Sequence, residues 1–488
     1  MSRGLLINKY LFLSLLFFCI SVAIGLFGLI DVSIVLLIIA CFFEILFIKC
    51  QPLGYASVSS IFIIFSIIYG LSGPISQRWL GGISEIFGNV FDLPSYIIAF
   101  SLSEIGLILG YAIYLFRHET TDIVQDRVKN YDVGAIEFLR RISTVLIIIG
   151  VVFQLINTIR IGGFDTIFMD KAYYQAAEAA LTMTLPANAF IEIAFACLGL
   201  YVGLCRYYKV KIKVRTIVLD IVLSVPYFMI LLLLGQRGRI LTVLVIVLLS
   251  LTMVQPIRKI SKKALLLIAL VYFSFAFMFT NRGIVQLLKT DSDDFFSKIT
   301  NVERYEDGLN PGKSELSCTF GNFNKLIIED DYGYKYGKTY FDGLALSVPS
   351  FLYVGEKPKQ ITYEFRDRYF YDESKRSDIA GTAFSSILEA YWNFGYIGIL
   401  VMFTFYGYFV MYLDYSLSKK SIMKFLFVIV CSGALITFPR TQLGSVIAKM
   451  IYDAFYIVIL VYIPFVFYKR KINKPKRTRV VEGVCDDI

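Results

Sequence analysis

The sequence predicts an all-α, polytopic membrane protein with about twelve spanning helices and one large loop between the ninth and the tenth. Three observations carry this prediction. Of 488 residues, 57% are hydrophobic and only 18% charged, with a mean hydropathy of +0.67, a balance too apolar for a water-soluble fold of this length. Apolar runs near the length needed to cross the hydrocarbon core recur from Tyr10 to Phe467. Such a run must be helical, because lipid offers its backbone amides no partner. The connections between the runs alternate between basic and less basic composition, the signature of alternating sides.

In chain order the predicted helices cover 10–29, 32–48, 56–72, 96–116, 143–158, 187–205, 217–234, 240–254, 264–279, 384–413, 425–436 and 445–467. The first run is longer than a signal-peptide core and lacks a small-residue cleavage site, so it reads as a retained span. Lys and Arg concentrate in 117–141, 206–215, 258–263, 419–424 and the tail 469–479, which the positive-inside rule assigns to the cytoplasm together with both termini. The turn at Asp31 and the connections 77–95, 160–185, 235–239 and 280–383 then face outward. The chain divides into nine helices in 1–279, a large exoplasmic loop at 280–383, three helices in 384–467 and a basic cytoplasmic tail at 468–488. The loop, about 100 residues long, mixes both charges with Tyr and Phe and so predicts a folded segment rather than a linker. Its stretch 361–370 is amphipathic and suited to a membrane surface. No internal repeat of the transporter kind is present.

Several function classes are disfavoured. The net charge of +10 follows the loops and does not gather on one face, so no nucleic-acid partner is expected. The eight cysteines form no CxxC pair, which argues against a metal site or a disulfide framework. His118 is the only histidine and falls on the cytoplasmic side, which excludes a Ser-His-Asp or His-ligated metal mechanism on the outer face. Asp291-Ser-Asp293 lies in an acidic loop and reads as a solvated charge run, so metal-independent chemistry is expected. No GxxxxGK[ST] loop supports ATP coupling, and no cofactor is expected.

Four arginines stand at outward helix ends against the positive-inside bias: Arg237 and Arg239 in Gly235-Gln-Arg-Gly-Arg, Arg282 in Asn281-Arg-Gly, and Arg440 in Phe438-Pro-Arg-Thr-Gln. Guanidinium groups bind phosphate oxygens in pairs and stay charged, so such a group at a membrane surface suits a lipid pyrophosphate as anchor and leaving group. Taken singly, each also reads as an arginine reaching for phospholipid headgroups. Lys449 and Asp453, four apart, share one face of the last helix, as a structural ion pair or as part of a site. Glu44, Glu104 and Glu192 are further carboxylates inside predicted helices. Glu389, near the outward start of the tenth helix, is placed to accept a proton from a sugar hydroxyl or to orient it, or to cap the helix.

With these motifs on the page the chain resembles the O-antigen polymerase (Wzy-type) family of oligosaccharide repeat unit polymerases. The resemblance rests on many helices with one large late loop, the Gly235-Gln-Arg-Gly-Arg turn, Tyr334-Lys-Tyr-Gly-Lys-Thr-Tyr340 followed by Leu346-Ser-Val-Pro, Gly381-Thr-Ala leading to Glu389, Asn393-Phe-Gly395, and Phe438-Pro-Arg440. It implies an architecture similar to GT-C-like polytopic glycosyltransferases in the bacterial inner membrane, with the large loop periplasmic. It implies transfer of a growing glycan from undecaprenyl pyrophosphate to the non-reducing end of an incoming lipid-linked unit. Glu389, Arg282 and Arg440 would be catalytic, Arg237, Arg239 and Lys449 would hold pyrophosphate, and a chain-length regulator in the membrane would be a partner. The paired RX10G loop pattern of some family members is missing, so no role is assigned to Arg366 or Arg368. The alternatives are an O-antigen ligase, disfavoured by the lack of an outward histidine, and a polysaccharide flippase or transporter, disfavoured by the asymmetric loop.

Overall fold

The computed structural model describes residues 3–51, 54–55, 57–83, 87, 90–117, 133–164, 184–234, 236–252, 262, 266, 310–313, 315–329, 333–348, 353–370, 384–416 and 422–472. Among them there is no β-strand. Helices α1 (Arg3–Leu26), α2 (Ile30–Cys50), α3 (Val58–Trp79), α4 (Leu93–Arg117), α5 (Val133–Ile161), α6 (Ala187–Tyr207), α7 (Val214–Leu233) and α8 (Arg237–Thr252) come first. Three short helices follow, α9 (Cys318–Ile328), α10 (Lys338–Ser347) and α11 (Ile361–Tyr369). Then come α12 (Ser386–Ser416), α13 (Ile422–Leu435), α14 (Leu443–Ile457) and α15 (Ile463–Ile472), the last two joined by a π-helical turn at Val458–Tyr462.

Among the described residues ten segments are long and apolar enough to cross a membrane: α1 to α7, α12, α13 with its following turn, and α14 running on through α15. α8 is a shorter apolar helix. The protein is therefore a multi-pass membrane protein. Each predicted span coincides with one of these helices except 264–279, of which only residue 266 is described. α5 starts well before its predicted start at residue 143. Its first turns bury Ile136, Phe138 and Leu139 in the core, and the charges among them are paired: Arg140 and Arg141 bond the Glu137 carboxylate at 2.5 and 3.3 Å, pairs at helical spacing that support a helix.

α3, α4, α6 and α13 are the enclosed helices, and α1, α7 and α14 run along the outside. Between spans the driving force is close fit rather than hydrophobicity, since lipid is as apolar as the side chains. The longest contact, between α4 and α12, shows this. Gly106 and Gly110 on α4 and Gly407 on α12 let the two backbones touch: a Cβ on Gly106 would fall 2.7 Å from the Leu400 carbonyl oxygen, and one on Gly110 would fall 2.5 Å from the Tyr408 nitrogen.

The short helices of the late loop pack onto this bundle. Phe320 of α9 meets Tyr96 edge to face at 4.9 Å. Gly343 of α10 lies against Gly444 of α14, where a Cβ would fall 2.7 Å from the opposing Cα. α11 forms within the amphipathic stretch 361–370, but its apolar face is not laid on lipid. Ile361, Phe365 and Tyr369, one turn apart from each other, are buried, with Phe365 against Phe384 and Trp392 at 5.5 and 5.8 Å.

If the α4–α12 contact is as tight as its glycines indicate, Gly106→Leu destabilises the purified protein by on the order of 1–3 kcal/mol in a thermal or denaturant melt. Gly238→Ala, where an added Cβ meets nothing within 4 Å, leaves the melt unchanged or raises it. Equal stability of the two variants would count against the contact.

Candidate active site

The site begins with a break in a helix. α12 is not continuous: Phe394 (φ −143°, ψ 17°) and Gly395 (φ 65°, ψ −154°) leave helical geometry. Gly395 is the residue that tolerates such a φ, and the Tyr334 hydroxyl would lie 2.9 Å from any Cβ placed there. The break strands the carbonyls of Trp392 and Asn393 without helical partners, and in an apolar bundle they must be paired. The loop before α10 supplies the donors. Lys335 N donates to the Trp392 carbonyl at 2.8 Å and Tyr336 N to the Asn393 carbonyl at 3.2 Å. Gly337, at φ +85°, donates its N–H to Asn393 Oδ1 at 2.8 Å. Lys335 adds an ion pair to Glu364 of α11 at 2.6 Å and lies 4.8 Å over the Trp392 ring.

This clasp positions Glu389, one turn before Asn393. Asn393 Nδ2 donates to the Glu389 carbonyl at 2.7 Å and to Thr339 Oγ1 at 2.6 Å, and the Thr339 hydroxyl donates to Glu389 Oε1 at 3.0 Å. The other carboxylate oxygen accepts the backbone N–H of Leu443, the first residue of α14, at 2.7 Å. Glu389 is fully buried, and both oxygens are engaged. A carboxylate on the first amide of a helix is favoured by the positive end of the helix dipole. Tyr340 stands beside it; burial first, and then the Glu389 charge, push this phenol above its usual range, so it remains a neutral hydroxyl.

Three residues before Leu443 stands Arg440, at the end of the 3-10 turn Phe438–Arg440. Phe438 anchors the turn between Tyr406 (4.6 Å) and Phe62 (5.3 Å), and leaves the Arg440 side chain half-buried. Lys449 is further along α14. Its ammonium pairs with Asp453 at 3.1 Å, as the four-residue spacing predicts, and with Glu192 of α6 at 2.6 Å. Sequence reasoning picked out Glu192 as a membrane carboxylate but had no means of joining it to Lys449. Arg239 lies in the first turn of α8, half-buried, and its charge reaches Tyr227, whose hydroxyl donates to Asn188 at 2.7 Å. α8 packs on α13 one turn further in, where Thr242 and Ile246 close on Gly433.

The structure thus gathers the starts of α6, α8, α12 and α14 at one end of the bundle, with Glu389, Arg440, Lys449 and Arg239 on them. Arg282, the Arg237 side chain, His118 and Asp291-Ser-Asp293 lie outside the described residues. Among the described residues no three His, Cys, Asp or Glu side chains gather as a metal site. Thr339, Asn393 and Lys335 are the members that sequence reasoning missed as side chains, although Tyr334–Tyr340 and Asn393–Gly395 had both been marked as motifs.

Compared with known families, residues 7–474 match the model of the O-antigen polysaccharide polymerase Wzy, which is nearly the whole chain. The chain belongs to the Wzy family. Neither a curated protein nor a solved structure matches it. Membership makes it a polysaccharide polymerase of the membrane, and it brings the motif residues of the clasp within the matched region.

Asn393→Ala removes the acceptor of Gly337 N–H and the donor to Thr339, and each stranded buried group costs about 1–3 kcal/mol. The variant should melt well below wild type. Paired with Thr339→Val in a double-mutant cycle, it should show coupling of about 0.5–3 kcal/mol. Simple additivity would mean that the network is not one unit.

Proposed function

We propose that this protein polymerises undecaprenyl-pyrophosphate-linked oligosaccharide repeat units at the periplasmic face of the inner membrane. The growing glycan is transferred to the non-reducing end of an incoming lipid-linked unit. The observation that carries this reading is the bond from Leu443 N to Glu389, which ties the Arg440 turn to the loop clasp at the end of the bundle where Arg239 and Lys449 also lie.

In this reading Arg440, Arg239 and Arg237 hold the donor pyrophosphate, and Arg282 joins them. Guanidinium groups suit this task because they neutralise the charge that builds on the leaving pyrophosphate as the glycosidic bond breaks. Lys449 reaches the pyrophosphate only by exchanging one of its two carboxylates, so it adjusts the site rather than anchoring it. Glu389 serves the acceptor side. It either holds Thr339 and the start of α14 in register or takes the proton of the attacking sugar hydroxyl on a remaining lone pair. The loop helices α9 to α11 shape the glycan groove. The chemistry proceeds without a metal, and a membrane partner regulates chain length.

The test is the glycan ladder on cell-surface lipopolysaccharide after deletion and complementation. Deletion should leave cores capped by a single unit, and wild type should restore the ladder. Arg440→Ala and Arg239→Ala should fail to restore it at normal membrane levels, with polymerisation slowed by about 100-fold or more, and the lysine replacements should recover part because charge survives without the bidentate fork. Bare core after deletion would favour ligation or transport, and an unchanged ladder would sink the assignment.

A further inference from the structure

Away from the Glu389 clasp, the outer surface formed by α6, α7 and α8 is indented. A groove of about 390 Å³, open along one side, runs between α7 and α8. Helical spacing explains its shape. On α7, Ile221, Val225 and Met229 stand four apart and form a half-exposed rim, while Ser224 and Phe228, also four apart, turn further inward. On α8 the facing wall is Val243 and Val247, again one turn apart. Phe195 of α6 closes the floor, buried and set edge to face on Phe228 at 5.6 Å. Ile221, Val225, Val243 and Val247 are β-branched and nearly fixed in one rotamer within a helix. The groove is therefore stiff and present before anything enters it.

It is also dry. Among the described residues its one polar lining side chain, Ser224, is buried and donates to the Ile221 carbonyl of its own helix at 2.7 Å, which leaves nothing for a polar guest. Hydrocarbon is what fits. The outward end sets this groove apart from the rest of the apolar surface. Arg239 precedes Val243 by four residues and Val247 by eight, so all three share one stripe of α8, with the arginine roughly 6 Å along the axis above the wall. A cation thus stands at the head of a slot that takes only apolar chain.

We propose that this groove holds the leading isoprene units of the polyprenyl carrier, with the carrier's diphosphate above them on Arg239. This placement rests on the polymerase reading, which supplies a diphosphate carrier. A single chain beneath two phosphates matches one groove beneath one cationic stripe, whereas a phospholipid brings two chains to one phosphate. Moving a chain from lipid into the groove gains no hydrophobic energy, because both surroundings are apolar. What retains it is close fit against stiff walls and the charge-assisted contact at Arg239. Together they fix the depth and direction of the donor, so that the bond to be broken is presented in one geometry at each transfer.

The test is photo-crosslinking of the full chain in nanodiscs of phosphatidylglycerol, with radiolabelled undecaprenyl pyrophosphate as the probe. Benzoylphenylalanine replaces Met229 or Leu244 on the groove, or Val401 on α12 as the control outside it; all three positions are exposed, so the variants should fold. Labelling at both groove positions should stand well above that at Val401. Arg239→Ala should weaken it there by about tenfold or more, the loss of a charged contact, and leave the control unchanged. Equal labelling at groove and control would mean that ordinary lipid fills the groove, and groove labelling indifferent to Arg239→Ala would detach it from the arginine; either result overturns the proposal. The glycan ladder scores the polymerase reading separately. An unlabelled groove in crosslinking variants that still restore the ladder sinks the groove and leaves the polymerase standing.

Discussion

Where α12 breaks, two carbonyl groups are set loose in surroundings that offer no water, and most of the architecture around the site follows from how they are recaptured. A buried, unpaired backbone group costs about 1–3 kcal/mol, so the backbone amides of Lys335 and Tyr336 are bound to the break as firmly as one strand to another. The loop segment 333–340 therefore belongs to the bundle. Its attachment carries α10 onto α14 through the Gly343–Gly444 contact. The same break turns the short first segment of α12 so that Glu389 faces the start of α14 rather than the lipid.

Charge is distributed with the same economy. Each ammonium or carboxylate placed inside a span needs a partner, because its desolvation exceeds what an isolated group can recover. Lys449 satisfies this with two carboxylates from different helices, a triad whose net charge is negative. Asp414 satisfies it with the Val58 and Ser59 amides at the start of α3, at 2.7 and 3.0 Å. Arg239 and Arg440 stand elsewhere, half-buried at helix ends rather than within a span.

The spans were legible because a membrane helix announces itself in one dimension, as a run of apolar residues of sufficient length. The early start of α5 was not, since Glu137, Arg140 and Arg141 interrupt its apolar run and their mutual bonding is not visible in hydropathy. Nor was the break in α12. Asn393-Phe-Gly395 sits in an apolar stretch that reads as one helix, and the residues that stabilise the break, 335–337, are distant in sequence. Glu389 and Arg440 were legible as candidates by residue type and position. Their connection was hidden, because it runs through a backbone amide, that of Leu443, which no side-chain pattern reports. The amphipathic pattern of 361–370 correctly implied a helix with one apolar face, but periodicity cannot say whether lipid or protein covers that face.

The engagement of both Glu389 oxygens bears on what this residue contributes. To act as a proton acceptor it would take the proton on a fully buried carboxylate whose oxygens already accept from Thr339 and from the Leu443 amide, and losing its charge weakens the ties to the element that presents Arg440 and to the one that carries Tyr340. To act as a tie it need do nothing further: the carboxylate already fixes the first turn of α14 relative to the loop, and with it the direction in which the Arg440 turn faces. Catalysis by a charge-stabilising group depends on that group being in place before the charge develops. A buried glutamate that holds an arginine-bearing turn in register meets this requirement without contacting the sugar, so the geometry favours the positioning role over the basic one.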